Sequence, residues 1–337
     1  MNGIVSPVEI EKQLKLTLER QSDKGVIGTR TSLFNLVIFK RAFVPGPSDS
    51  ALDFLLGKRP ARIIHVDCGY PDDTRVSVFA RCYPDRRDRT VCFEEVLINN
   101  GRDGKGIDPG MWSPILIHDL PTYLWWLKEL VPIPEDFLNA LEYGDKMLIY
   151  SSFNERVYNE NPRLIFKGIA QLIEDEKEIP VIIDFSWVRL FALRKFIARL
   201  FDERVDALYG IREIAVKNLQ RSEALLLFFW FASRLDWRGG KIDDDFISFR
   251  DKKNREVLLR HEVVGSMESG VKIDFSFEGF PKLSIGCDSL GCMEEERSNE
   301  RVQFKIPGEG EILLREVDSL MHDDAYYEAI RVTLEME

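Results

Sequence analysis

The sequence predicts an α/β protein: a mixed, mostly parallel sheet flanked by helices in residues 1–238, followed by a smaller antiparallel, β-rich α+β domain in residues 239–337. Three observations predict it. Between residues 112 and 216, short apolar runs of strand character alternate with segments of helical period, the order that βαβ crossovers require. Residues 121–127 place Trp125 and Trp126, two of the six tryptophans, side by side in an extended run, so their rings leave opposite faces and both faces need cover. From Arg238-Gly-Gly-Lys241 onward the helical period stops, and short β runs alternate with glycine and charged turns.

Taken in order, residues 8–20 form a polar helix, 33–39 an apolar strand, and Pro45-Gly46-Pro47 a turn before a short helix at 48–56. Strands follow at 63–66, 76–82 and 91–98, the last two joined by the polar turn 85–89 as a hairpin inserted in the sheet. From Trp112 the order is helix, strand 121–127, helix 135–142, strand 147–150, helix 162–176, strand 181–185 and a long helix 187–202. Ser186 is placed to cap that helix, whose stripe of Leu190, Leu193, Phe196, Ile197 and Leu200 packs on the sheet. Strand 211–216 and a buried helix at 223–235 close the first domain. The second holds strands at 246–250, 256–264, 271–277, 282–286, 301–306 and 311–316, covered by a last helix at 319–334.

With 337 residues, 45% of them hydrophobic, the chain can bury two cores. Its net charge of −11 argues against a nucleic-acid partner, and the densest basic stretch, Arg81 to Arg89, is diluted by Asp85 and Asp88. The longest apolar run, residues 224–232, is too short for a bilayer and is closed by Arg234 and Asp236, so no membrane partner is expected. Five cysteines at irregular spacing do not read as a secreted disulfide framework, and no signal peptide is evident; the expectation is a cytoplasmic protein.

The chemistry-bearing motifs are mostly missing. Gly101 to Gly106 lacks the spacing of a phosphate loop, no G-x-G-x-x-G follows a strand, and His65, His118, His261 and His322 form no i, i+4 pair. Cys287 and Cys292 are the one close cysteine pair; without a second pair they make a weak zinc site, and a thiol switch stays open. Cys68, Cys82 and Cys92 read as small apolar residues on neighbouring strands. Ser151, Ser152 and Ser186 follow strands but lack the glycines of a nucleophile elbow. Asp145, Asp184 and Asp202 could serve at the C-terminal edge of a parallel sheet, although Asp184 reads better as a capping charge. No catalytic set and no metal site emerge.

Several segments in collinear order over about 200 residues resemble the OpcA family of glucose-6-phosphate dehydrogenase assembly proteins. They are Arg30-Thr-Ser-Leu-Phe-Asn-Leu-Val37, Arg59-Pro-Ala-Arg-Ile-Ile64, Cys92-Phe-Glu94, Leu120-Pro-Thr-Tyr-Leu-Trp-Trp126, Asp184-Phe-Ser-Trp-Val-Arg-Leu190 with Arg194 and Phe201-Asp202, and Ala232-Ser-Arg-Leu-Asp-Trp237. Asp236 departs from the pattern, which commonly has glycine there, and little beyond Arg238 matches. The resemblance implies a non-catalytic assembly factor or allosteric activator that binds glucose-6-phosphate dehydrogenase, at the entry to the oxidative pentose phosphate pathway, and it implies no cofactor. Arg30, Trp125, Trp126, Asp184, Trp187, Arg189 and Arg194 are then the candidates for partner binding or scaffolding. A second reading is an enzyme or sensor binding a sugar phosphate or nucleotide at the C-terminal edge of the parallel sheet through Ser151, Ser152, Asp184 and Arg189.

Overall fold

The computed structural model describes residues 6–22, 28–30, 32–42, 44, 49–56, 58–69, 75–84, 90–100, 107–175, 179–202, 204–242, 246–262, 270–288, 291–294, 307–319 and 323–336. The expected turn at 85–89 and strand at 301–306 lie outside them. Contacts group the chain into two units: residues 1–157, 178–185 and 308–322 form the first, and 158–177, 186–307 and 323–337 the second.

The first unit is built on an eight-stranded sheet. Its path runs β1 (Gly28–Arg30), β5 (Thr90–Asn100), β3 (Arg62–Cys68), β2 (Asn35–Arg41), β6 (Thr122–Leu127), β7 (Lys146–Ile149) and β8 (Val181–Asp184), with every neighbouring pair parallel. β4 (Arg75–Pro84) pairs antiparallel with β5, so the expected hairpin is present in an otherwise parallel sheet. α1 (Pro7–Ser22), α2 (Asp49–Leu56), α3 (Glu135–Leu141) and α4 (Ser151–Tyr158) are its helices before β8. β6 is buried at all six positions, as cover on both faces demands. Trp126 packs against Phe39 and Phe137 with ring centroids 5.3 and 5.1 Å away, whereas Trp125 packs against Phe185 at 5.2 Å. Adjacent rings thus anchor two separate layers.

The second unit contains a seven-stranded sheet in the order β10 (Arg238–Ile242), β11 (Phe246–Arg250), β12 (Glu256–Glu262), β9 (Ile211–Lys217), β13 (Val271–Phe277), β14 (Leu283–Asp288) and β15 (Gly291–Glu294). Only β9 and β12 pair in parallel. The division therefore differs from a boundary at residue 238: β9, expected to close the first sheet, is the central strand of the second. The helices α5 (Pro162–Asp175), α7 (Phe191–Asp202) and α9 (Arg221–Leu235) belong with it. α7 meets the second sheet, where Phe201 lies edge-on to Phe275 at 5.4 Å. The expected continuous helix 187–202 is broken at Leu190 into α6 (Phe185–Arg189) and α7, and a short α8 (Val205–Leu208) precedes β9.

Two C-terminal expectations need correction. Residues 311–316 are not a strand but the middle of α10 (Glu309–Asp318), in the first unit. Ile312, Leu313 and Glu316 are buried at helical spacing, the Glu311 carboxylate accepts from the Gly308 N–H at the helix start, and the Lys146 ammonium donates to the Glu316 and Ser319 carbonyls at its end. The expected cover helix 319–334 is shorter, α11 (Asp324–Arg331), and packs chiefly on α5 and α9, while the 3-10 turn Val332–Glu335 that follows it meets β10.

Candidate functional site

The residues that carry the family resemblance turn out to be interior connectors. On β2, the Asn35 carboxamide donates to the Ile117 carbonyl and to Thr122 Oγ1, at 3.0 and 3.1 Å, and accepts from the Ile117 N–H at 3.0 Å. One amide thereby ties β2 to the turn that launches β6. Arg62 on β3 and Glu94 on β5 are direct register partners, and their side chains form a buried ion pair with Arg62 Nε donating to Glu94 Oε2 at 2.8 Å. Arg62 also donates to the Ile115 carbonyl at 2.7 Å and to Glu11 of α1. The Pro-x-Arg and Cys-x-Glu segments, 32 residues apart, are the two halves of one contact.

Trp125 and Trp126 are buried to 1% and 0% exposure, which fixes them as core side chains. Arg30 pairs through its backbone with Cys92, and its side chain lies outside the described residues. Asp184 ends β8 fully buried and accepts from the Ser151 N–H at 3.2 Å. It therefore caps α4, accepting from the first N–H of that helix. Ser151, Ser152 and Asp184 do come together in the first unit. Arg189 is in the second, where it donates to Glu223 Oε1 at 3.1 Å.

Also in the second unit, the Arg194 guanidinium lies over the Trp187 ring, 3.3 Å from its centroid, while Trp187 Nε1 donates to Asp323 Oδ2 at 2.7 Å. Asp323 also caps α11 through the Ala325 N–H and is 3.8 Å from Arg194. The Asp-x-Ser-Trp-x-Arg-Leu segment thus fastens α6 and α7 to α11. Trp187 and Arg194 are 2% and 7% exposed, a scaffold position.

The titratable groups away from these motifs are mostly compensated. Burial on its own would raise the Glu95 carboxyl, but the hydrogen bond from His65 and the charge of Arg81 outweigh it and hold the group below its usual range. Burial pushes the Cys68 thiol up, which makes it a poor nucleophile, and lowers Lys146. Cys82 and Cys92 are opposite one another in the β4–β5 register, and their side chains lie outside the described residues. Cys287 and Cys292 form a disulfide across β14 and β15, beside Arg189 and Glu223. Among the described residues no three His, Cys, Asp or Glu side chains are grouped to hold a metal ion, and no helix is long and apolar enough to cross a membrane.

The exposed aromatic side chains of the second unit include Phe191, Tyr209 and Phe280. Val205, Tyr209 and Phe280 are roughly half exposed, with Phe280 against Gly210. Beside them Arg212 and Arg255 share Glu278, and Arg255 donates to the Tyr209 carbonyl at 3.1 Å.

Comparison with known proteins decides the family. Residues 54–162 match the glucose-6-phosphate dehydrogenase subunit N-terminal domain, and residues 180–330 match the C-terminal domain of the same subunit, in the same order. The chain belongs to the OpcA family. The OpcA protein of Synechococcus elongatus is 27% identical over 218 residues, covering 60% of this chain and 47% of the relative, and that of Synechocystis sp. is 25% identical over 193 residues, covering 55% and 39%. The matched stretch spans less than half the length of these relatives. A structure described as an oxidoreductase from Thermotoga maritima overlays with a TM-score of 0.48 and 10% identity, covering 90% of this chain and 96% of that one. Nothing about chemistry follows from that overlay. The C-terminal match extends past Arg238, where sequence motifs were no longer recognisable, and takes in the second sheet as an OpcA element.

Sequence reasoning found most of these residues but not their connections. Arg62 and Glu94 stood in separate motifs with nothing to pair them until the β3–β5 register was known. It also missed Arg163, Arg221 and His261, which face one cavity; the only sequence signal was Asn161-Pro162, a helix-start dipeptide ahead of an arginine.

Proposed function

We propose that this chain is a non-catalytic assembly factor or allosteric activator that binds glucose-6-phosphate dehydrogenase in the oxidative pentose phosphate pathway. The observation that carries the reading is the ordered match of both halves to the two domains of the glucose-6-phosphate dehydrogenase subunit family. The geometry agrees with it: the motif residues Asn35, Arg62, Glu94, Trp125, Trp126, Trp187 and Arg194 are spent on internal hydrogen bonds, ion pairs and ring packing. They build a rigid framework, and recognition falls to exposed side chains.

We propose Tyr209 and Phe280 as the contact, because half-exposed aromatics flanked by arginines have the composition of an interface centre. The test is to mix the purified chain with its cognate dehydrogenase and follow oligomer size and the glucose 6-phosphate concentration at half-maximal rate. A change in either supports the proposal, and no complex with unchanged kinetics overturns it. Tyr209→Ala with Phe280→Ala should weaken the effect by tenfold or more, about 1.4 kcal/mol, without altering the fold.

A further inference from the structure

The second unit contains a cavity of about 560 Å³, open mouth included, that none of the motif residues touches. Its polar lining is Asn161, Arg163, Arg221 and His261, its apolar wall includes Leu225 and Phe228, and among the described residues no carboxylate lines it. That charge pattern is unusual in a chain of net charge −11. Elsewhere in the same unit arginines carry carboxylate partners: Arg189 has Glu223, Arg212 has Asp251 and Glu278, and Arg260 has Glu213. Among the described residues Arg163 and Arg221 have no ion-pair partner, and Arg163 Nε is shielded from solvent with no hydrogen-bond acceptor. A buried guanidinium nitrogen left in that state costs stability unless an anion reaches it.

The backbone adds to the positive field. α5 and α9, of 14 and 15 residues, both begin at this cavity, where their unpaired N–H groups and dipoles favour negative charge. Asn161 caps α5 by accepting from the Arg163 N–H at 3.1 Å, whereas Gln220 gives α9 no side-chain cap. His261 Nε2 is held 2.7 Å from the Leu219 carbonyl, which fixes the ring at the cavity wall.

We infer that this cavity binds a phosphate group, as the free anion or as the monoester of a small metabolite, through Arg163 and Arg221, with the apolar wall beside the body of the ester. Two guanidinium groups match the charge and the forked acceptor geometry of a phosphate dianion better than those of a single carboxylate. The inference does not depend on the dehydrogenase reading, since the isolated chain suffices to test it.

The experiment is titration calorimetry of the purified chain with inorganic phosphate, glucose 6-phosphate and, as a control, sodium chloride at matched ionic strength. Saturable binding of either phosphate species is expected, weakened about tenfold or more by Arg163→Gln and by Arg221→Gln. Arg221 is exposed, so its variant should fold, and circular dichroism checks both. Arg238→Gln, whose side chain pairs with Asp236 outside the cavity, should bind as the parent does. Tighter binding of the sugar ester than of phosphate assigns the site to a monoester, and equal binding assigns it to the free anion. Heat that sodium chloride reproduces, or binding that survives both cavity substitutions, overturns the inference.

Discussion

Removing the charge of Arg62 should be among the most damaging single changes in the first unit. Its side chain is 3% exposed and that of Glu94 1%, and the same guanidinium also serves Glu11 and the Ile115 carbonyl. Arg62→Met would take from Glu11 and Glu94 the guanidinium that both carboxylates contact, and Glu94 lies inside the sheet. Breaking a buried pair from one side costs about 3–5 kcal/mol, which for a unit of this size lowers Tm by roughly 6–20 °C. The physics also predicts a rescue. Arg62→Met combined with Glu94→Leu removes both charges and should recover most of that loss, because the penalty is the cost of keeping the Glu94 charge buried beside an apolar side chain more than the lost attraction. Urea unfolding followed by tryptophan fluorescence measures all three variants, with Trp125 and Trp126 reporting on the same sheet. If Arg62→Met lies within about 1 kcal/mol of the parent, or the double variant is no better than the single, the pairing of the two motifs is not what holds β3 to β5.

Four further outcomes follow from other contacts. Asp251 accepts from the Lys253 and Arg255 N–H groups and from the Arg255 side chain; burial alone would raise its carboxyl, but these bonds hold it below its ordinary value of 3.8. Its contribution is therefore complete above that pH and is lost as pH falls through the lowered folded value, so the stability gap between parent and Asp251→Asn should shrink below about pH 3.8 in acid titration. Trp187→Phe removes the bond to Asp323 and weakens the stacking with Arg194, a loss of about 1–2 kcal/mol by chemical unfolding. A Cβ on Gly310 would meet Phe54 Cβ at 2.9 Å and the Ala51 carbonyl at 3.0 Å, so Gly310→Ala should cost about 1–3 kcal/mol where α10 crosses α2. Asp236 ends α9 with φ of 56°, the left-handed position that favours glycine, and Asp236→Gly should raise stability by about 0.5 kcal/mol in a thermal melt.

The first sheet was legible because its signals are local. A six-residue strand carrying two tryptophans, a polar turn between two β runs and strand–helix alternation each report on neighbours in the chain. What the sequence could not show is which sheet a strand joins. β9 follows the alternation of the first half, yet it pairs in parallel with β12 and antiparallel with β13, partners about 45 to 66 residues away in sequence. The same limit hid the cap supplied by Asp184, which serves α4 across 33 residues while sitting next to α6. In 311–316 the error was one of period. Ile312, Leu313 and Val317 fit a helix face, but Ile-Leu-Leu in a region of short β runs reads as a strand until the Glu309 and Glu311 charges in the first turn are weighed.

The burial of the motif residues also changes what their recurrence in a family means. Trp125 and Trp126 identify the chain without touching its surroundings, because each fills a different side of the same sheet. These two residues make the fold recognisable from inside it, and the exposed side chains of Tyr209 and Phe280 stand outside every motif.

The most direct measurement is sedimentation velocity of the purified chain mixed with its cognate glucose-6-phosphate dehydrogenase, with activity assayed on the same mixtures. An assembly factor predicts a faster-sedimenting species containing both proteins and a lower glucose 6-phosphate requirement, each diminished by Tyr209→Ala with Phe280→Ala. Two boundaries that sediment independently at micromolar concentrations, with the dehydrogenase kinetics unchanged, would contradict it.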